Sequence, residues 1–350
     1  IQATQKYGAD VRLVGGVYDD AYLEAVKFQK ETGGIIIHPF DDLDVTLGFK
    51  GHDTIPDNGM RLKKEYTGRI VWTLHDCWAF TGHCFHFVTK SCDRWKTGCH
   101  DCPLKNEYPK TILDRSKEHW LLKRDLFVEC KNLTIIPVSS WMGDFVKESF
   151  LKDKRIKVIH NGVDLNVFKP VSDLLNATNT KFKIIAVSSV WYPDKGELDV
   201  YKLRTMLSVD EYEIIMVGLS AEQAKSLPKG IVGIQRTQNV QELVQLYSDA
   251  DVLINPTYAD TFPTVNLEAL ACGTPLITYK TGGSPEAIDE NTGAVIPQGD
   301  VDSLANTIIK MKDNPLSSKA CRKRAEEYFD KNKCFEKYIN LYKELLGVNE

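Results

Sequence analysis

The sequence lacks long apolar runs, and it lacks an excess of charge of either sign. No stretch reaches about 20 consecutive apolar residues, and no basic segment followed by an apolar run opens the chain, which argues against a membrane span or a signal peptide. The 44 basic and 48 acidic residues leave a formal net charge of −4. Such a balance creates no overall positive potential that would attract nucleic acid. We therefore expect a cytoplasmic protein that does not bind nucleic acid.

Internal repeats and low-complexity segments are absent as well. The 350 residues, 43% of them hydrophobic, are enough for about two domains with cores of their own. With no secretory context, the nine cysteines are more simply interpreted as thiols or metal ligands than as a disulfide framework.

Short apolar runs alternate with helical patterns along most of the chain. RIVWTL, LTIIPV and IKVI come first, and KFKIIAVSS, EYEIIMVG, GIVGI, DVLINP and TPLITY follow after the turn-rich segment HNGVDLNVFKPVSD. Strands that are apolar at nearly every position are typical of parallel sheets covered on both faces. We predict an α/β fold of two doubly wound domains facing a cleft, residues 1–165 and 166–350. The last helical stretch, 321–346, is expected to pack back across the domains.

Polar residues follow the predicted strands of the second domain, where ligands of open α/β sheets bind. Lys195, before Gly196, could neutralise a diphosphate oxygen, or it could be a solvated loop lysine. Further on, Pro263 suits the first turn of a helix. The N–H groups at the start of that helix would face a pyrophosphate. These N–H groups belong to Thr264, Val265 and Asn266.

Two carboxylates flank this predicted helix start. Asp260 precedes Pro263, and Glu268 lies eight positions after Asp260, about one turn into the helix. A carboxylate at that depth can accept hydrogen bonds from ribose hydroxyls. Two solvated carboxylates are the alternative, but the preceding strand, Pro263 and the small residues of 269–273 favour a binding role.

Together, FPTVNLEALACGTPLI, NGVDLNVFKP, the Lys195-Gly196 pair and TGGSPEAI resemble glycosyltransferase family 4, a family of two Rossmann-like domains facing a cleft (GT-B type). WTLHDCWAFTGHC and CPLKNEYP resemble a bacterial branch associated with surface polysaccharide synthesis. The resemblance runs from about residue 69 to 346. It implies retaining transfer of a sugar from a nucleotide-sugar donor to a glycan or lipid-linked acceptor, with no cofactor required for catalysis. A peripheral contact with the inner face of the membrane is left open.

The resemblance also implies roles for individual donor-side residues. Glu268 matches the ribose-binding glutamate of the family, and Lys195 matches the phosphate-binding lysine. Asp260 matches a position that contacts hydroxyls of the donor sugar, although the family pattern has Glu there. Val190 stands where the family usually has an arginine. Arg236 could supply the missing positive charge, or it could be an ordinary surface arginine.

On the acceptor side, His75 and Asp76 directly follow the apolar run IVWTL. In the resembled family the histidine at this point contacts the transferred sugar close to its anomeric carbon. Asp76 could orient His75 or hold the acceptor. No carboxylate pair is spaced as in a retaining hydrolase, and none is required, because the departing phosphate can take the acceptor proton.

Four cysteines cluster after this point: Cys84, Cys92, Cys99 and Cys102. Four thiolates suit a tetrahedral zinc ion, which would hold together an insertion that otherwise lacks a core. Reduced and partly buried thiols are the alternative.

The first 58 residues do not resemble the start of this family. Up to Val45 they are similar to the small domain of threonine dehydratase, but they contain neither the Schiff-base lysine motif nor the phosphate loop of that family. Pyridoxal-phosphate chemistry is therefore not implied, and the chain looks like a junction of two families. Three hypotheses compete: a transferase, a nucleotide-sugar isomerase of the same architecture, and a fusion that binds nucleotide without catalysis.

Overall fold

The computed structural model describes residues 69–107, 110–171 and 181–347. The chain divides into two compact units, residues 1–68 and 69–350. The segment 1–58, on which the fusion hypothesis depends, lies outside the described residues. That hypothesis stays a prediction.

Three parallel strands form the first sheet of the described part, in the order β1-β2-β3. They are β1 (Ile70–Leu74), β2 (Leu133–Pro137) and β3 (Arg155–Ile156). Helix α1 (Ser116–Glu129) connects β1 to β2, and α2 (Ser140–Glu148) connects β2 to β3. Every residue of β2 is buried, as the continuous apolar run LTIIP predicts for a central parallel strand.

Six parallel strands of the described chain form the second sheet, in the order β6-β5-β4-β7-β8-β9. Their bounds are β4 (Phe182–Val187), β5 (Tyr212–Val217), β6 (Ile231–Ile234), β7 (Val252–Asn255), β8 (Leu276–Tyr279) and β9 (Gly293–Ile296). The strand order reverses between β4 and β7, so this pair is the topological switch point of a doubly wound sheet. The structure confirms the predicted α/β class with two parallel sheets.

Helices cover both faces of the second sheet. They are α3 (Glu197–Met206), α4 (Ala221–Lys225), α5 (Val240–Asp249), α6 (Thr264–Ala271), α7 (Val301–Asp313) and α8 (Ser318–Tyr328); the last helix, α9 (Lys331–Leu346), follows them in the chain. Alternate residues of the strands face opposite layers: Ile185 and Leu253 lie in one buried cluster, and Ile184 and Ile254 in the other. Two covered faces explain why these strands are apolar throughout.

The C-terminal helix α9 packs against the first sheet. Its Leu341 is buried with Ile136 and Ile159, and the hydroxyl groups of Tyr338 and Thr73 lie 3.0 Å apart. The predicted boundary between residues 165 and 166 falls in the chain segment that joins the two sheets, and it stays a prediction. None of the helices in the described ranges is both long and apolar enough to cross a lipid bilayer.

Candidate functional site

A cleft of about 300 Å³ opens at the carboxyl ends of β4 and β7. It lies at the switch point of the second sheet, where the strand order predicts a ligand site. Its lining is His75, Asn161, Val187, Ser188, Ser189, Trp191, Lys195, Ile254, Asn255, Asp260, Thr261, Phe262, Pro263, Thr264 and Val265. The cleft therefore brings together five of the predicted site residues, one of which, His75, comes from the end of β1.

Lys195 and Asp260 form an ion pair inside this cleft. The Lys195 Nζ lies 2.8 Å from the Asp260 Oδ2 and 3.4 Å from the carbonyl oxygen of Ala259. Gly196, which follows the lysine, has a φ of +76°, and a Cβ there would lie 2.2 Å from the Pro256 carbonyl oxygen. Only glycine tolerates both the backbone conformation and this close approach. The close packing of Gly196 on Pro256 thus helps to fix the position of Lys195. Gly196 does not itself line the cleft.

The loops that carry Lys195 and Asp260 are tied to each other. The Tyr258 N–H donates to the Asp194 carbonyl oxygen at 2.7 Å. Asp199, at the start of α3, accepts hydrogen bonds from the hydroxyls of Tyr258 at 2.8 Å and Tyr279 at 2.6 Å. Burial, together with the Asp199 carboxylate, raises the pKa of Tyr258 to about 12. Sequence reasoning missed these three residues, because no spacing rule pairs an aspartate with tyrosines so distant along the chain.

The N-terminus of α6 faces the cleft through part of its first turn. Pro263, Thr264 and Val265 line the cleft, and no side chain caps the helix. Asn266 is turned away from it: its side chain is buried, and its Oδ1 accepts from the Asn255 Nδ2 at 2.8 Å. The Asn266 N–H donates back to the Pro263 carbonyl at 3.3 Å. Of the three residues predicted to supply N–H donors, the structure brings Thr264 and Val265 to the cleft.

Glu268 lies one turn behind the cleft-facing Thr264. Its Oε2 accepts from the hydroxyl of the buried Tyr247 at 2.9 Å, and the Thr264 side chain also hydrogen-bonds to it. Burial raises the pKa of Glu268, and the two hydrogen bonds oppose that rise. Glu268 does not line the cleft itself, and Thr264 lies between the two.

His75 and Asp76 occupy different environments although they are adjacent. His75 is exposed and lines the cleft, and its carbonyl oxygen accepts from the Thr261 hydroxyl at 2.6 Å. The Asp76 Oδ1 instead accepts from the Trp78 N–H at 2.7 Å. That bond stabilises the turn after β1, next to the buried Lys123, whose Nζ donates to the Trp78 carbonyl at 2.9 Å. The structure thus places His75, and not Asp76, at the cleft.

Arg236 is exposed beyond the end of β6 and does not line the cleft. The structure therefore does not bring it to the place of the missing family arginine. Within the described part of the chain, Lys195 is the only lysine or arginine that lines the cleft.

The four clustered cysteines all line one small space of about 10 Å³. Even so, no group of three or more His, Cys, Asp or Glu side chains in the described ranges is arranged to hold a metal ion. Burial raises the pKa of Cys84 to about 12 and that of Cys99 to about 11. The predicted structural zinc at Cys84, Cys92, Cys99 and Cys102 is therefore not supported, and the alternative of reduced thiols fits the structure better.

The expectation that this insertion lacks a core is wrong. Trp95 is 2% exposed and packs on Phe80, Phe87 and Phe145 at centroid distances of 5.3, 4.9 and 5.5 Å. The Trp95 Nε1 also donates to the Cys92 carbonyl oxygen at 3.0 Å. Aromatic packing therefore gives the insertion a core of its own.

Glu286 joins the second sheet to the first, and sequence reasoning assigned it no role. Its two carboxylate oxygens accept from the N–H groups of Ser140 and Trp141, each at 2.8 Å, at the start of α2. The His160 Nε2 lies 2.8 Å from the same carboxylate. Burial alone would raise the pKa of Glu286, but these hydrogen bonds hold it below its ordinary value. A negative charge at a helix N-terminus is stabilised in addition by the helix dipole.

Comparison with known proteins finds similarity to glycosyltransferases in sequence and in fold. Residues 175–328, under half of the chain, match the family model of the group 1 glycosyl transferases. The putative colanic acid biosynthesis glycosyl transferase WcaC of Escherichia coli K12 is 27% identical over 284 residues, which are 79% of this chain and 68% of that protein. A D-inositol 3-phosphate glycosyltransferase of Mycolicibacterium smegmatis is 32% identical over 176 residues, 45% of this chain and 40% of that protein. The chain thus spans well under half the length of this second relative.

The fold itself recurs in solved structures. Anabaena HepE in complex with UDP superposes with a TM-score of 0.59 at 16% identity, covering 79% of this chain and 72% of that chain. Identity this low shows the fold alone. This likeness and the two parallel sheets confirm the predicted α/β fold of GT-B type.

Proposed function

We propose that this chain is a retaining glycosyltransferase that moves a sugar from a nucleotide-sugar donor to a glycan or lipid-linked acceptor in polysaccharide synthesis. One observation carries the proposal: Lys195, Asp260, the N-terminus of α6 and His75 line the same cleft at the switch point. The similarity to WcaC, whose name refers to colanic acid biosynthesis, supports the pathway class.

The diphosphate of the donor would lie at the N-terminus of α6. The N–H groups of Thr264 and Val265 and the Lys195 ammonium group offer hydrogen bonds and positive charge there. Glu268 would take the ribose hydroxyls one helical turn further in, and this requires its carboxylate to reach past Thr264. Asp260 would accept from hydroxyls of the donor sugar.

In the transfer step, the bond between the anomeric carbon and the donor phosphate oxygen breaks, and a bond to the acceptor oxygen forms on the same face. The acceptor proton passes to the departing phosphate oxygen, so no enzymatic base is required. Lys195 and the helix N-terminus stabilise the negative charge that develops on the leaving group. His75 would lie near the anomeric carbon. Because protein groups stabilise the leaving group, the proposal requires no catalytic cofactor.

The test is a donor and acceptor panel with the full chain. UDP-, GDP- and ADP-sugars are offered with lipid-linked saccharides, and the anomeric configuration of the product is read by NMR. Transfer with retention supports the proposal, and transfer with inversion would contradict the retaining mechanism. Nucleotide binding without transfer would favour the hypothesis of a fusion that binds nucleotide without catalysis. Interconversion of the donor sugar would favour a nucleotide-sugar isomerase.

A further inference from the structure

The ion pair between Lys195 and Asp260 occupies the position at which the proposed function requires a free lysine. Both residues line the cleft, and their side chains are 33% and 22% exposed. Two of the three donors of the Lys195 ammonium group point at protein acceptors, the Asp260 carboxylate at 2.8 Å and the Ala259 carbonyl at 3.4 Å. The charge that should attract a diphosphate is therefore already compensated.

The pair is part of a fixed local structure. The loop of Lys195 is tied to the loop of Asp260 through the hydrogen bond from the Tyr258 N–H to the Asp194 carbonyl oxygen. The close packing of Gly196 on Pro256 holds the same two loops together. Because both backbones are held, the short Asp260 side chain has little freedom, whereas the four-carbon stem of Lys195 can turn.

We propose that Asp260 and the donor diphosphate compete for Lys195, so that arrival of the diphosphate releases Asp260 to accept from a sugar hydroxyl. This inference rests on the proposed function of the cleft. A free nucleoside diphosphate breaks the ion pair and gains nothing at Asp260, while a nucleotide sugar replaces the lost contact with a hydroxyl contact. The pair therefore favours the donor over the spent nucleotide. After transfer, Asp260 returns to Lys195 and helps to expel the product.

The test compares the binding of nucleoside diphosphates and nucleotide sugars to Asp260→Asn by titration calorimetry. UDP, GDP and ADP are each titrated, together with their glucose conjugates. Removal of the carboxylate frees Lys195, so the nucleoside diphosphate that the unaltered protein binds should bind about tenfold more tightly. The matching nucleotide sugar should gain less or lose affinity. The ratio of the nucleoside diphosphate dissociation constant to that of the nucleotide sugar should thus be smaller in Asp260→Asn than in the unaltered protein.

Asp194→Asn is the matched control. Asp194 is exposed and adjacent to Lys195, and its removal changes the charge equally without touching the ion pair. We expect its nucleotide affinities to stay within about twofold of those of the unaltered protein, because exposed charges are well screened. An equal gain in nucleoside diphosphate affinity in Asp260→Asn and Asp194→Asn would overturn the inference. The gain would then come from the loss of a negative charge near the cleft, and not from the release of Lys195. Asp260→Ser serves as a second variant if Asp260→Asn melts at a clearly lower temperature.

Unchanged or weaker nucleoside diphosphate binding in both Asp260 variants would overturn the inference and leave the proposed function standing. Failure of the unaltered protein to bind any nucleotide or nucleotide sugar would overturn both. Sugar transfer by the unaltered protein, measured in parallel, keeps the two outcomes distinct.

Discussion

Two regions of the molecule concentrate chemically reactive side chains, and they are built in opposite ways. The donor side gathers Lys195, Asp260 and the start of α6 around a cleft of about 300 Å³. The cysteine-rich insertion gathers four thiols around about 10 Å³, beside the packed rings around Trp95. Parallel strands that end at one sheet edge impose convergence on the first set. The second set lies among short turns, where spacing alone does not determine how side chains meet.

If the insertion is held by aromatic packing, Trp95 is its most sensitive residue. Trp95→Ala should lower the free energy of unfolding by about 3–5 kcal/mol, because it removes a fully buried ring and leaves a cavity. Urea denaturation followed by circular dichroism measures this. Ile112→Ala is the control, since Ile112 is 96% exposed and should change stability by less than about 0.5 kcal/mol. A loss below about 1 kcal/mol for Trp95→Ala would show that packing is not what holds the insertion.

On the donor side, the corresponding residue is Lys195, and its effect should be on turnover. Lys195→Ala should slow sugar transfer by about 10²–10³-fold, because it removes the positive charge nearest the leaving group in the proposed geometry. Initial rates at saturating donor check this, and melting temperatures show whether the fold is kept. Lys202→Ala is the control: Lys202 lies on α3 with a side chain 56% exposed. Comparable loss in both variants would remove Lys195 from the proposed site.

The same contrast explains what the sequence could predict. The apolar runs and their order were enough for the two parallel sheets, and the residues after β4 and β7 were enough for the cleft. The N–H of Asn266 was expected at the cleft, but it donates back to the Pro263 carbonyl oxygen at 3.3 Å, a local bond that the sequence pattern did not predict. Asp199 with its two tyrosines was missed because the contacts join distant segments. The zinc prediction overlooked aromatic side chains that supply the core of the insertion.

The contact between the two sheets at Glu286 differs from both regions, because a carboxylate there binds the N-terminus of helix α2. The pKa of Glu286 is held below the ordinary value of 4.5, so its contribution to stability is present at neutral pH and is lost as pH falls through the lowered pKa. Glu286→Gln should therefore cost about 1–2 kcal/mol at pH 7. The difference from the unaltered protein should shrink as the pH falls below 4.5.

Denaturation curves at several pH values measure this effect. Glu290→Gln is the matched control, because Glu290 is exposed near the same turn. A loss for Glu286→Gln that is constant from pH 7 down to pH 3 would contradict the assignment, because a neutral carboxylic acid would then stabilise the fold as well as the carboxylate does.

The smallest change in stability should come from substitution of a clustered cysteine. This experiment tests most directly whether the cysteine-rich insertion, unlike the donor cleft, is organised without a ligand. Cys102 is partly exposed and its sulfur accepts from the Leu104 N–H, a bond that a serine hydroxyl can also accept. Cys102→Ser should change stability by less than about 0.5 kcal/mol. Addition of a strong zinc chelator should leave the melting temperature of the unaltered protein where it was. A drop of several degrees with chelator, absent in Cys102→Ser, would mean that the four sulfur atoms close on a metal ion, because a tetrahedral thiolate site contributes directly to folding free energy. The insertion would then be organised by a ligand, as the donor cleft is, and the contrast between the two regions would disappear.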